Sequence, residues 1–83
     1  MINNNADKYK CQKQWIVNTC NKIVQLSESI EYWSIEKEAP RWKVAFRDKN
    51  NVPFLYKSGS FVSIKIDLQL ILYGLESAHY EVK

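Results

Sequence analysis

The run from Ser60 to Gly74 is the most apolar part of the chain, and two periodicities compete within it. From Val62 to Leu72 every even position is apolar, while Ser63, Lys65, Asp67 and Gln69 alternate with them. That two-residue period marks a half-buried strand. The β-branched residues thin out after Ile66, however, and beyond Asp67 the apolar residues are mostly leucine. The run then closes on Leu72, Tyr73, Gly74 and Leu75, as many helices close on a C′ glycine followed by an apolar residue. Leucine favours helix and Asp67 is a suitable N-cap. The sequence therefore predicts a strand over residues 60–66 and a short helix over residues 68–73, ended by Gly74. The rival is one strand continuing to Leu72.

Upstream, residues 6–26 contain neither Gly nor Pro. Tyr9, Ile16, Val17, Cys20, Ile23 and Val24 fall within one arc of a helical wheel, with Trp15 and Leu26 at its margin. Asn4 or Asn5 can cap this helix, Asp7 suits the positive end of its dipole, and residues 1–5 are expected to fray. Residues 27–38 carry Glu28, Glu31, Glu36 and Glu38 against Lys37 and read as an irregular or short-strand connection. Pro40 ends it.

Residues 41–47 alternate cleanly, with Trp42, Val44 and Phe46 on one side and Arg41, Lys43 and Arg47 on the other. Asp48 to Asn51 form a turn, because Asn tolerates positive φ and Asp bonds its own following backbone. Residues 52–57 return as a strand in which Pro53 belongs at an edge or near the start. Ser58, Gly59 and Ser60 make the next turn, and residues 77–83 alternate as a last edge strand. The expected fold is α+β: a long N-terminal helix packed on a small antiparallel three- to four-stranded meander, with a short helix after the third strand. Residues 1–83 form a single domain, since 83 residues leave room for one core.

Composition narrows the function. A hydrophobic fraction of 46% with 25% charged residues is ordinary for a soluble globular protein. No 18-residue apolar run exists to span a membrane, and the N-terminus lacks the basic and apolar regions of a signal peptide, so a cytoplasmic location is expected. On one helix Cys11 and Cys20 stand on opposite sides, about 13 Å apart along the axis. That excludes a disulfide and predicts two free thiols.

Catalytic machinery is scarce. His79 is the only histidine, placed in the predicted edge strand, and two opposed cysteines do not complete a metal set. Two isolated glycines cannot build a phosphate-cradling loop. Cys11 has Lys8, Lys10 and Lys13 nearby but no partner constellation, and Cys20 lies on the apolar arc. Neither enzyme activity, cofactor nor metal is expected.

The charge distribution says more than the net +3. Residues 41–65 hold six basic side chains against Asp48 alone. Arg41, Lys43 and Arg47 share a strand face, Lys49 sits in the adjoining turn, and Lys57 and Lys65 are placed to join them across the sheet. This is the candidate binding surface for a protein or a nucleic acid. Its plain reading is a solvated sheet face whose cations prevent edge-to-edge aggregation. A second-choice face is the amide row Gln14, Asn18, Asn21 and Gln25, since amides pair with base edges or with protein backbone. The sequence thus points to a small non-enzymatic interaction protein that binds and inhibits or regulates another macromolecule. A phage or mobile-element inhibitor of anti-CRISPR type fits by size and composition. The alternative is a nucleic-acid-binding module using the basic face of the meander. A protein or protein complex is the first partner expected and nucleic acid the second, with no membrane.

Overall fold

The first helix forms where its apolar arc places it. The structure, a computed structural model, describes the backbone of residues 4–81 and the side chains of residues 7–78. Helix α1 spans Asn4–Leu26, followed by strands β1 (Tyr32–Lys37), β2 (Arg41–Arg47) and β3 (Pro53–Ser60) and by helix α2 (Phe61–Glu81). Ile16, Cys20 and Ile23 are fully buried, with Tyr9, Trp15, Val17, Val24 and Leu26 half-buried around them. Residues 4 and 5, expected to fray, are helical. Residues 1–3, and the side chains of Asn4 and Asn5 expected to cap the helix, lie outside the described residues. Beyond Leu26 the Ser27 Oγ accepts the backbone N–H groups of Ser29 and Ile30 at 3.2 and 3.0 Å, which turns the chain toward the sheet.

The sheet is antiparallel in the order β1-β2-β3. Its central strand buries Trp42, Val44 and Phe46 against Ile16, Cys20 and Ile23 of α1 and Ile64 and Leu68 of α2. Both helices therefore cover the same side of the sheet. Residues 32–37, within the segment read as an irregular or short-strand connection, form a regular edge strand. The turn at Asp48–Asn51 is as expected. Asn51 takes φ 64°, and Asp48 Oδ1 accepts the backbone N–H groups of Asn50 and Val52 at 2.9 and 3.0 Å. Pro53 opens β3 on the other edge, where its missing N–H costs no ladder bond.

The α+β class, the long first helix, the three-stranded meander and the helix after it match expectation. The segments that supply the last two elements differ. Of residues 60–66, expected as a strand, only Ser60 lies in one, because β3 ends there and α2 starts at Phe61 with no loop between. Gly59 makes this junction with φ 134°, and a Cβ there would stand 3.3 Å from the Ser63 Cβ. Ser60 caps α2 instead of Asp67, its Oγ accepting the Ser63 N–H at 3.4 Å. Gly74 is an interior residue of α2 with open space around it, not the helix end. The final strand expected over residues 77–83 is helix as far as Glu81, and residues 82 and 83 lie outside the described residues.

The strand-like pattern fails for a packing reason. As a strand, all the even residues would share one face. As a helix, they divide: Ile64 and Leu68 are fully buried, while Val62, Ile66 and Leu70 are 66%, 53% and 65% exposed. Phe61, Ile71, Leu72 and Leu75 complete the inner side, and Phe61 meets Trp15 edge-on at 5.7 Å between ring centroids. Two indoles are fixed by polar partners, as aromatic N–H groups usually require. Trp33 Nε1 donates to Asn21 Oδ1 at 2.9 Å and Trp42 Nε1 to Gln12 Oε1 at 3.2 Å. Lys13 and Glu38, 3.0 Å apart, tie α1 to the β1–β2 turn, where the Ala39–Pro40 peptide is cis.

Candidate functional site

Because both helices lie on one side, the other side of the sheet is open. Residues paired across strands project to the same side. The register Tyr32↔Arg47, Ser34↔Ala45 and Lys37↔Lys43 joins β1 to β2, and Arg41↔Ser60, Lys43↔Ser58 and Ala45↔Tyr56 joins β2 to β3. Phe54 is the unpaired residue of the bulge opposite Phe46 and Arg47, and the alternating exposure of β3 puts it on the same side as Tyr56 and Ser58. Ala45 makes a closed floor at the centre, with no exposed surface. Around it Tyr32, Phe54 and Tyr56 are 50%, 49% and 47% exposed.

Cations are interleaved with these rings. Lys43 Nζ lies 4.8 Å from the centroid of the Tyr56 ring. Arg47 pairs with Glu36 at 3.6 Å and donates to the Asn51 carbonyl at 3.3 Å, while Ser34 Oγ donates to Glu36 at 2.9 Å. Lys37, Arg41 and Lys49 have no ion-pair partner among the described residues. Lys37 and Lys43 stand directly opposite one another, an arrangement that costs free energy unless an anion shares it. At the sheet end where β1 meets the β2–β3 turn, an open cleft of about 390 Å³ is lined by Tyr32, Trp33 and Ser34 and by Arg47, Lys49, Asn50 and Asn51.

The structure thus gathers Arg41, Lys43 and Arg47 on one face, with Lys49 at its rim, as the alternation implies. It does not bring Lys57 or Lys65 to them. Lys57 pairs with Val44 and so projects to the helix-covered side. Lys65 is on α2, its Nζ 5.8 Å from the centroid of the Trp15 ring. The amides Gln14, Asn18, Asn21 and Gln25 are all exposed on α1. Gln14 Nε2 donates to Asn18 Oδ1 at 3.0 Å and Asn21 holds Trp33, so three of the four already serve internal bonds. Sequence reasoning missed Lys37, Tyr32, Phe54 and Tyr56. Their signal was the alternation of Tyr32, Ser34 with Trp33, Ile35, and of Phe54, Tyr56 with Leu55, Lys57. Which side each set took depended on strand pairing.

A second surface lies on α2. Val62, Ile66, Leu70 and Tyr73 form a stripe opposite the buried side, and Tyr73 is 65% exposed. Cys11 is a free exposed thiol and Cys20 a free buried one, whose pKa burial pushes up to about 12. Among the described residues no cluster of His, Cys, Asp or Glu could hold a metal ion. His79 falls in α2, with its side chain outside the described residues. No described helix is long and apolar enough to cross a membrane. No protein-family model matches the chain, nor does any curated protein or solved structure.

Proposed function

We propose that this is a non-enzymatic interaction protein that binds another protein through the outer stripe of α2 and inhibits or regulates it by filling a groove. The observation that carries the reading is the exposure of Val62, Ile66, Leu70 and Tyr73 at helical spacing, with none of them half-buried or better. Together they present roughly 400 Å² of mostly apolar surface, a patch of the size that marks interaction sites on monomers. Residues at i, i+4, i+8 and i+11 are the anchors of a helix laid into a groove.

A second copy of the chain is a poorer occupant. A stable interface needs about 800 Å² per partner, and two bare stripes face to face fall well short. A groove also covers the flanks of the helix and closes that deficit. Those flanks carry Asp67 and Glu76, while Lys65 is turned over Trp15. The partner surface is therefore an apolar groove with a basic rim. The same acidic flanks work against an anionic lipid surface.

The test is photocrosslinking in the cells that carry the protein, with the photoreactive residue at position 70 and a control at position 22. A discrete adduct from position 70 alone, lost on Ile66→Glu with the circular-dichroism spectrum unchanged, supports the reading. No adduct from position 70, or only an adduct with a second copy, overturns it.

A further inference from the structure

The open sheet face is a different surface with different chemistry. We infer that it binds single-stranded nucleic acid, stacking unpaired bases on Tyr56 and Phe54 and on Tyr32 while Lys37, Arg41, Lys43 and Lys49 meet the phosphates. Four features converge on that ligand.

The first is the rings. Tyr32, Phe54 and Tyr56 each keep about half their surface open on a face that no described helix covers, with the closed floor of Ala45 between them. Phe54 and Tyr56, two residues apart on one strand, are about 7 Å apart along it, enough for each ring to take its own base. Bases stack on such rings only when they are unpaired, which selects single strands over a duplex.

The second is the charge. Five cations share the face and its rim with two carboxylates: Glu36, which already engages Arg47, and Asp48, whose Oδ1 is taken by the turn backbone. The opposed Lys37 and Lys43 are the sort of pair that a phosphate relieves. The third is residue type. Tyr, Phe and Arg would also suit a protein interface, but Lys is depleted there, and three of these five cations are Lys. The fourth is the cleft beside Tyr32. Its wall includes Lys49 for a phosphate and Asn50 and Asn51, whose amides can pair with a base edge, beside the Glu36-bound Arg47.

In the free protein Lys43 rests over the Tyr56 ring. A base arriving on Tyr56 displaces the ammonium toward the adjacent phosphate, so ring and cation act together. Glu36 opposes binding by holding Arg47 and repelling the backbone.

The experiment is fluorescence anisotropy at low salt with the full chain and labelled oligo(dT) and oligo(U) 12-mers, competed with a 12-base-pair duplex and with heparin. The 12-mers should bind more tightly than the duplex, and the deoxy and ribo arms show which sugar is preferred. Log affinity should fall with log salt at a slope of about −3, from four free cations at ~0.7 each. Tyr56→Ala should weaken binding roughly 5- to 100-fold while Tyr56→Phe retains it. Glu36→Gln should strengthen it by roughly two- to fivefold. Equal binding to duplex or heparin reduces the face to a plain polyanion surface and overturns the inference. So does Tyr56→Ala binding like the parent, or no binding of either 12-mer, which leaves the face to a protein. None of these results bears on the α2 stripe.

Discussion

Replacing Leu68 and Leu70 separately by Ala tests the feature on which the architecture turns. Leu68 is fully buried among Ile64, Trp42 and the α1 side chains, whereas Leu70, two residues on, is 65% exposed. Truncating a buried leucine costs about 2–5 kcal/mol from lost transfer energy and the residual cavity. An 83-residue domain holds roughly 4–12 kcal/mol in total, so Leu68→Ala removes a large share of its stability. Leu70→Ala, at an exposed helical site, should stay within about 0.5 kcal/mol of the parent. Urea unfolding followed at 222 nm reads both, and each kcal/mol corresponds to about 4–8 °C in Tm for a domain of this size. Ile64→Ala and Ile66→Ala repeat the comparison one turn earlier. A strand through this segment would put all four side chains on one face. Equal losses at positions 68 and 70 would therefore refute the helix and, with it, the stripe.

Two glycines should respond with opposite signs. Gly59→Ala, at φ 134° and against Ser63, should destabilise by about 1–3 kcal/mol, while Gly74→Ala, inside α2 with open space, should stabilise by about 0.5–1 kcal/mol; thermal melts of both variants check the pair. The thiols should separate in reactivity, with Cys11 modified at once by a thiol reagent at pH 8 and Cys20 only at the rate of unfolding. Cys20 titrates near 12 when folded against 9.0 for an ordinary thiol. The folded state thus holds that proton more tightly, so its contribution is intact below pH 9 and declines between pH 9 and 12. The decline reaches about 1.4 kcal/mol per pH unit. Subtracting the pH profile of Cys20→Ala isolates it, and identical profiles would rule it out.

Local pattern made α1, β2 and the Asp48–Asn51 turn legible. An apolar arc, a strict alternation and an Asx turn each follow from a few adjacent residues and their own backbone preferences. The same alternation placed Arg41, Lys43 and Arg47 on one side correctly. It could not place Lys57, whose strand partner Val44 takes it to the covered side. Nor could it place Tyr32, Phe54 and Tyr56, because membership of the open face is a property of three paired strands. Residues 32–37 were ambiguous for a related reason: a half-exposed edge strand carries little hydrophobic signal of its own.

The segment from Ser60 to Gly74 marks the division. Its composition determined that it would be apolar and central, since even its polar residues are flanked by leucine and isoleucine. It did not determine strand or helix, because its even positions satisfy the strand period while Phe61, Ile64, Leu68, Ile71, Leu72 and Leu75 give a helix an apolar side as well. Tertiary structure decided. β1 and β3 had already taken the two edges of β2, and the remaining apolar need lay on the helical side, beside α1. Gly59 and Ser60 supply the backbone turn and the cap that let the chain change from one to the other without a loop. Once helical, the segment had more apolar residues than one side could bury. Val62, Ile66, Leu70 and Tyr73 stand outward as the surplus.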